Sequence, residues 1–90
     1  MQVKIHPREG SRGDLVKIQV SPDNPSQVAS VSVVVDYGFY ASLRRNGDEW
    51  IGEERVPYEA DSGTYRLVLR AYDNASHPVE VGEETFTVRN

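Results

Sequence analysis

Ninety residues make one domain's worth of chain: enough to bury a two-layer core, too few to wall an active-site cavity with a second domain. Ten Lys and Arg stand against fourteen Asp and Glu, a net charge of -4 with both signs interspersed, so the concentrated positive surface that nucleic acid requires is missing. With no cysteine there is neither a disulfide nor a thiolate metal site, and no run nears the roughly 20 apolar residues of a membrane-spanning helix.

The dominant period along the chain is two, the mark of strands with one buried face. Val3 and Ile5 alternate with Lys4 and His6 until Pro7 stops the run. Arg8 to Gly13 reads as a Gly-containing loop. Val16, Ile18 and Val20 form a second strand, broken by Pro22 and Pro25, since proline does not sit in a central strand. Val28 to Asp36 is the most strand-like run. It sends Val31, Val33 and Val35 one way and Ser30, Ser32 and Val34 the other. Gly38 permits a bend, and Phe39 to Arg45 reads as one strand with Ala41 and Leu43 on one face.

Asn46-Gly47-Asp48 is a tight-turn signal, because Asn and Gly tolerate positive φ. Glu49 to Pro57 follows as a fifth strand. Thr64 to Asp73 alternates Tyr65, Leu67, Leu69 and Ala71 against Arg66, Val68, Arg70 and Tyr72. Asp73 to Pro78 is a loop. Val79 and Val81 lead to Gly82, a candidate bulge or turn, and Phe86 and Val88 close the last strand. Seven strands at spacings near ten residues predict a seven-stranded antiparallel β-sandwich over residues 1–90, in the all-β class.

Asp61-Ser62-Gly63-Thr64-Tyr65 resembles the immunoglobulin superfamily, where Asp-x-Gly-x-Tyr leads into strand F. The resemblance implies a tyrosine corner, with the Tyr65 hydroxyl bonded back to the main chain. It also implies that Leu67 and Ile18 stand where antibody-type domains carry their inter-sheet disulfide. Trp50-Ile-Gly, Val56-Pro57, Gly63-Thr-Tyr65, Ala71-Tyr-Asp73 and Phe86-Thr-Val88 are similar to bacterial surface modules of the immunoglobulin-like and fibronectin-III-like type. Such modules are spacers or accessory domains of larger exported proteins. The resemblance therefore implies neighbouring domains of the same chain as partners, no cofactor and no reaction. Strands that reach almost to both ends suit a bead cut from a string of domains, at the cell surface or outside it. The opening Met1 to His6 has no apolar signal core, and a cytoplasmic placement stays open.

Each motif has a plain structural explanation beside a functional one. Arg12-Gly13-Asp14 matches an integrin tripeptide, but a Gly turn beside a charged residue gives the same letters. Asn74-Ala75-Ser76 has the form of a glycosylation acceptor in a loop. His6 and His77 lie far apart in sequence with no third ligand at a metal spacing. Asp36, Asp61 and Asp73 would gather at one pole only if the loops converge, as calcium requires six to eight oxygens. Glu53-Glu54 and Glu83-Glu84 are neighbours on strands and so point to opposite faces, which denies them a shared substrate. Arg44, Arg45, Arg66 and Arg70 are the nearest thing to a basic cluster, and solvated strand faces account for them.

The aromatic residues exceed what the core requires. Tyr65, Phe86 and Trp50 belong inside, whereas Tyr37, Phe39, Tyr40 and Tyr72 are candidates for stacking on polysaccharide or anchoring another protein. Covering strand edges or packing against a neighbouring domain, including a hydrolase domain, is the plainer role for the same rings.

Overall fold

Side-chain alternation becomes burial alternation as soon as the strands pair. The structure, a computed structural model, describes residues 1–35 and 39–90. Its strands in chain order are β1 (Gln2–His6), β2 (Glu9–Gly10), β3 (Leu15–Ser21), β4 (Ser30–Val35), β5 (Phe39–Ser42), β6 (Arg44–Asn46), β7 (Glu49–Arg55), β8 (Gly63–Tyr72) and β9 (Pro78–Val88). A single 3₁₀ turn at Pro25–Gln27 interrupts them, and the described residues contain no α-helix. The protein is therefore all-β.

Two sheets form, a four-stranded one in the order β1-β3-β7-β6 and a five-stranded one in the order β2-β9-β8-β4-β5. The inward-facing residues of both meet in one apolar core that includes Ile5, Ile18, Val20, Val31, Val33, Trp50, Leu67, Leu69 and Phe86. Every second residue of β8 from Leu67 to Ala71 is buried, with Val68 and Arg70 half-exposed between them. Ile18 and Leu67 are dry, at 3% and 4% exposure, and both face the space between the sheets.

Nine strands stand among the described residues where the alternation predicts seven, and not all pairs are antiparallel. Two local events account for the difference. First, the Arg8–Gly13 loop contains β2, which pairs parallel to the end of β9 through Glu9↔Thr87 and Gly10↔Val88. Two residues leave no room for an alternation pattern, so this strand has no sequence signature. Second, Phe39 to Arg45 is two strands rather than one. Val35↔Phe39 to Ser32↔Ser42 tie β5 to β4 in one sheet, whereas Arg44↔Ile51 to Asn46↔Glu49 tie β6 to β7 in the other.

Leu43 is the crossover. Its N–H donates to the Val31 carbonyl at 2.9 Å, and its side chain lies over Gly52, where an added Cβ would come within 2.6 Å of it. After Asn46 the chain reverses through Gly47 and Asp48, with Gly47 at φ +66° in the first central position, the place a II′ hairpin turn reserves for glycine.

Gly82 is neither bulge nor turn. It lies inside β9 opposite Leu69, where the Met1 and Val3 side chains cover it, and the irregularity in the β8–β9 ladder falls at Ala71/Tyr72 instead.

The chain ends occupy opposite poles. Met1 lies beside Asp23 and Glu80, and Asn90 lies beside Arg12, Ala60 and Ser62 at the far end of the strands. The longest dimension is 40 Å.

Candidate functional site

Three surfaces carry the residues that the sequence singles out: the outer face of the five-stranded sheet, the pole where Tyr65 bonds to Asp61, and a cleft between the sheets.

The outer face is set by register. Tyr40 lies opposite Val34, Val34 opposite Val68, and Val68 opposite Glu83. One rung along, Ser42, Ser32, Arg70 and Val81 make the next row. Tyr40 is 62% exposed, and the Ser42 hydroxyl donates to its hydroxyl at 3.4 Å. Tyr72 shares this face, paired with Ser30, four residues along β4 from the Tyr40 partner. At strand spacings that puts the two rings roughly 16 Å apart. Phe39 has the opposite parity. It packs against the core and lines the inter-sheet cleft, so it does not join Tyr40 on one surface. Tyr37 lies outside the described residues, as does Asp36. The structure thus keeps Tyr40 and Tyr72 on one face with the mostly polar row of Ser42, Ser32, Arg70 and Val81 between them, and separates Phe39 from both.

Arg66 and Arg70 also rise from this face, with Arg66 3.9 Å from Glu83. Arg44 and Arg45 belong to the other sheet, where Arg45 stacks over the Trp50 ring at 5.3 Å. The four arginines therefore make no common basic patch.

At the pole, the Tyr65 hydroxyl donates to the Asp61 carbonyl at 2.6 Å, and Gly63 enters β8 at φ +151°. The same pole absorbs Arg12-Gly13-Asp14. Arg12 Nε donates to the Ala60 carbonyl at 3.0 Å, Gly13 N–H to Val56 at 2.8 Å, and the Asp14 carboxylate accepts the Ser11 N–H at 2.8 Å. Gly13 has φ +82° with the Tyr58 ring against it. The tripeptide is bonded into the loop rather than held out from it.

Asp61 and Asp73 flank the two ends of β8, roughly 30 Å apart at strand rise, so they do not converge on a cation. Asp73 instead caps its own loop, accepting the N–H groups of Ala75 and His77 at 2.9 Å each. Asn74 is exposed in that loop. Among the described residues no three His, Cys, Asp or Glu side chains gather in one place.

Two carboxylates are tuned. Burial pushes Glu80 upward, but the N–H groups of Asp23 and Asn24 and the Met1 ammonium more than offset this and hold it below the usual carboxylate range. Hydrogen bonds from Gln19 and Ser21 hold Glu49 low. Both groups brace loops and edges at the Met1 pole.

The cleft has no counterpart in the sequence reading. It encloses about 650 Å³ between the sheets, walled by Val16, Ile18, Val35, Phe39, Leu67 and Phe86. It exists because β5 and β6 divide one stretch of chain between two sheets. β6 reaches only Glu49 to Ile51 of β7, so among the described residues Gly52 to Arg55 have a strand partner on the β3 side alone. A signal was available. Trp50, Gly52, Glu54 and Val56 share inward parity, and an acidic residue in that series marks an edge rather than a closed core.

No family model matches the chain, and no curated protein matches it.

Proposed function

We propose that the chain is a non-catalytic immunoglobulin-like module, residues 1–90, that spaces or orients neighbouring domains of a larger exported bacterial protein. The strand order supports the immunoglobulin-like part of the reading. Lettered along the chain, β1-β3-β7-β6 corresponds to A-B-E-D, and β2-β9-β8-β4-β5 to A′-G-F-C-C′. The Tyr65 bond to Asp61 sits where that architecture has its tyrosine corner.

The observation that carries the spacer role is the placement of the chain ends at opposite poles, with the segments next to them zipped together. Thr87 N–H donates to the Arg8 carbonyl at 3.0 Å and Arg89 N–H to Gly10 at 2.8 Å, and Arg8 pairs with Glu84 at 2.9 Å. A pull from end to end runs along these strands and loads their hydrogen bonds together rather than one at a time. Single-molecule stretching between the two ends tests this. The expected result is one cooperative unfolding event; gradual extension at negligible force contradicts it.

A second reading, a carbohydrate-binding or adhesive module, is favoured by the exposed Tyr40 on the same face as Tyr72. It predicts a change in tyrosine fluorescence on adding polysaccharide, lost in Tyr40→Ala. The spacer predicts no response.

A further inference from the structure

We propose that the cleft beside β7 is a docking groove for an extended peptide whose groove-facing residues are apolar except for one basic residue opposite Glu54, added as a strand to the free edge of β7. Three observations meet there. The first is volume: about 650 Å³ of mainly apolar space, within the range of roughly 300–1,000 Å³ typical of ligand sites. The second is backbone: Gly52 to Arg55 pair with β3 on one side and with no described strand on the other, and of these Glu54 and Arg55 reach the cleft while Gly52 and Glu53 border Ser42 and Arg44. An edge with main-chain donors and acceptors recognises another main chain, and an adjoining apolar hollow receives its alternate side chains. An acyl chain fills the hollow and leaves the edge unused.

The third is charge. Glu54, Glu59 and Asp61 line the mouth, and the one cation among the described lining residues, Arg55, already donates to the Gly13 carbonyl at 2.9 Å. Glu54 is the sharpest feature. It has the inward parity of Trp50 and Val56 and is half-buried, and its carboxylate makes no hydrogen bond or ion pair to any described residue. A basic side chain on the incoming strand supplies its partner. A second copy of the chain, carrying the same net charge of -4, is a poorer occupant.

The test uses the whole chain and two synthetic seven-residue peptides, Val-Thr-Val-Thr-Lys-Thr-Val and its counterpart with Glu for Lys, the Val–Lys and Val–Glu peptides, in which Val and the charged residue share one strand face. Titration calorimetry measures affinity, and amide hydrogen exchange locates the bound strand. The expected result is binding of the Val–Lys peptide with slowed exchange within Gly52–Arg55, weakened about tenfold by Glu54→Lys and less by Glu54→Gln. Circular dichroism of both variants confirms that they remain folded. Four results overturn the proposal: no Val–Lys binding at millimolar peptide, equal binding of the Val–Glu peptide, saturation of the cleft by n-dodecanol alone, or a concentration-dependent dimer that slows the same amides without peptide.

Discussion

At Tyr65 a single hydroxyl and a half-buried ring do different work. The bond to the Asp61 carbonyl fixes the loop that leads into β8, while the ring packs against the core. Tyr65→Phe keeps the ring, so it should lower stability by only about 0.5–1.5 kcal/mol. Leu67→Ala removes buried methyl groups between the sheets and should lower it by roughly 2–5 kcal/mol. Urea unfolding of the two variants measures both, and equal small losses would contradict the burial of Leu67 between the sheets. Glu80 adds a pH dependence. Its carboxyl titrates below the usual range when folded, so it stabilises the protein above the ordinary Glu value of roughly 4.3. That contribution fades as pH falls through the folded value. Thermal melts should therefore show a gap between wild type and Glu80→Gln at neutral pH that closes as pH falls below the ordinary Glu value; a gap that widens in acid contradicts the sign.

At the scale of elements, the crossover from β5 to β6 decides the shape of the whole edge. Leu43 is buried and joins the two sheets, whereas Tyr40 three residues earlier faces water. Leu43→Ala should cost about 2–5 kcal/mol, and Tyr40→Ser no more than about 0.5 kcal/mol, in the same unfolding assay. This region also marks where sequence reading stops. The alternation in β1, β3 and β8 is plain because each strand has a wetter and a drier face over several residues, whereas β4 is legible from its β-branched residues, with Ser32 on its outer row buried as well. Phe39 to Arg45 keeps its alternation through the crossover, since Ala41 and Leu43 face the same core from either sheet. Nothing in the letters reveals the change of partner. β2 is too short to have a period, and Gly82 has the composition of a bend while serving as a floor for Met1 and Val3. The aromatic surplus is legible as composition, but its division into an outward Tyr40 and an inward Phe39 follows only from register. The cleft and Glu54 follow from where β6 stops.

Across the whole molecule, two sheets close over one apolar interior while the chain enters at one pole and leaves at the other. That arrangement makes the spacer reading a mechanical one: force travels along the strands that flank the ends. It also leaves one lateral opening, below β6, where the interior meets a free strand edge. Both consequences depend on the same pairing scheme, because a single continuous strand over residues 39–46 would remove the cleft, and loss of the parallel β2–β9 pair would unzip the ends. The most direct measurement is a set of cross-strand nuclear Overhauser contacts in the labelled protein. Contacts of Tyr40 and Ala41 with β4, of Arg44 and Arg45 with β7, and of Glu9 with Thr87 are the predicted result. Residues 39–46 pairing throughout with one sheet, or Glu9 without a contact to β9, would contradict it.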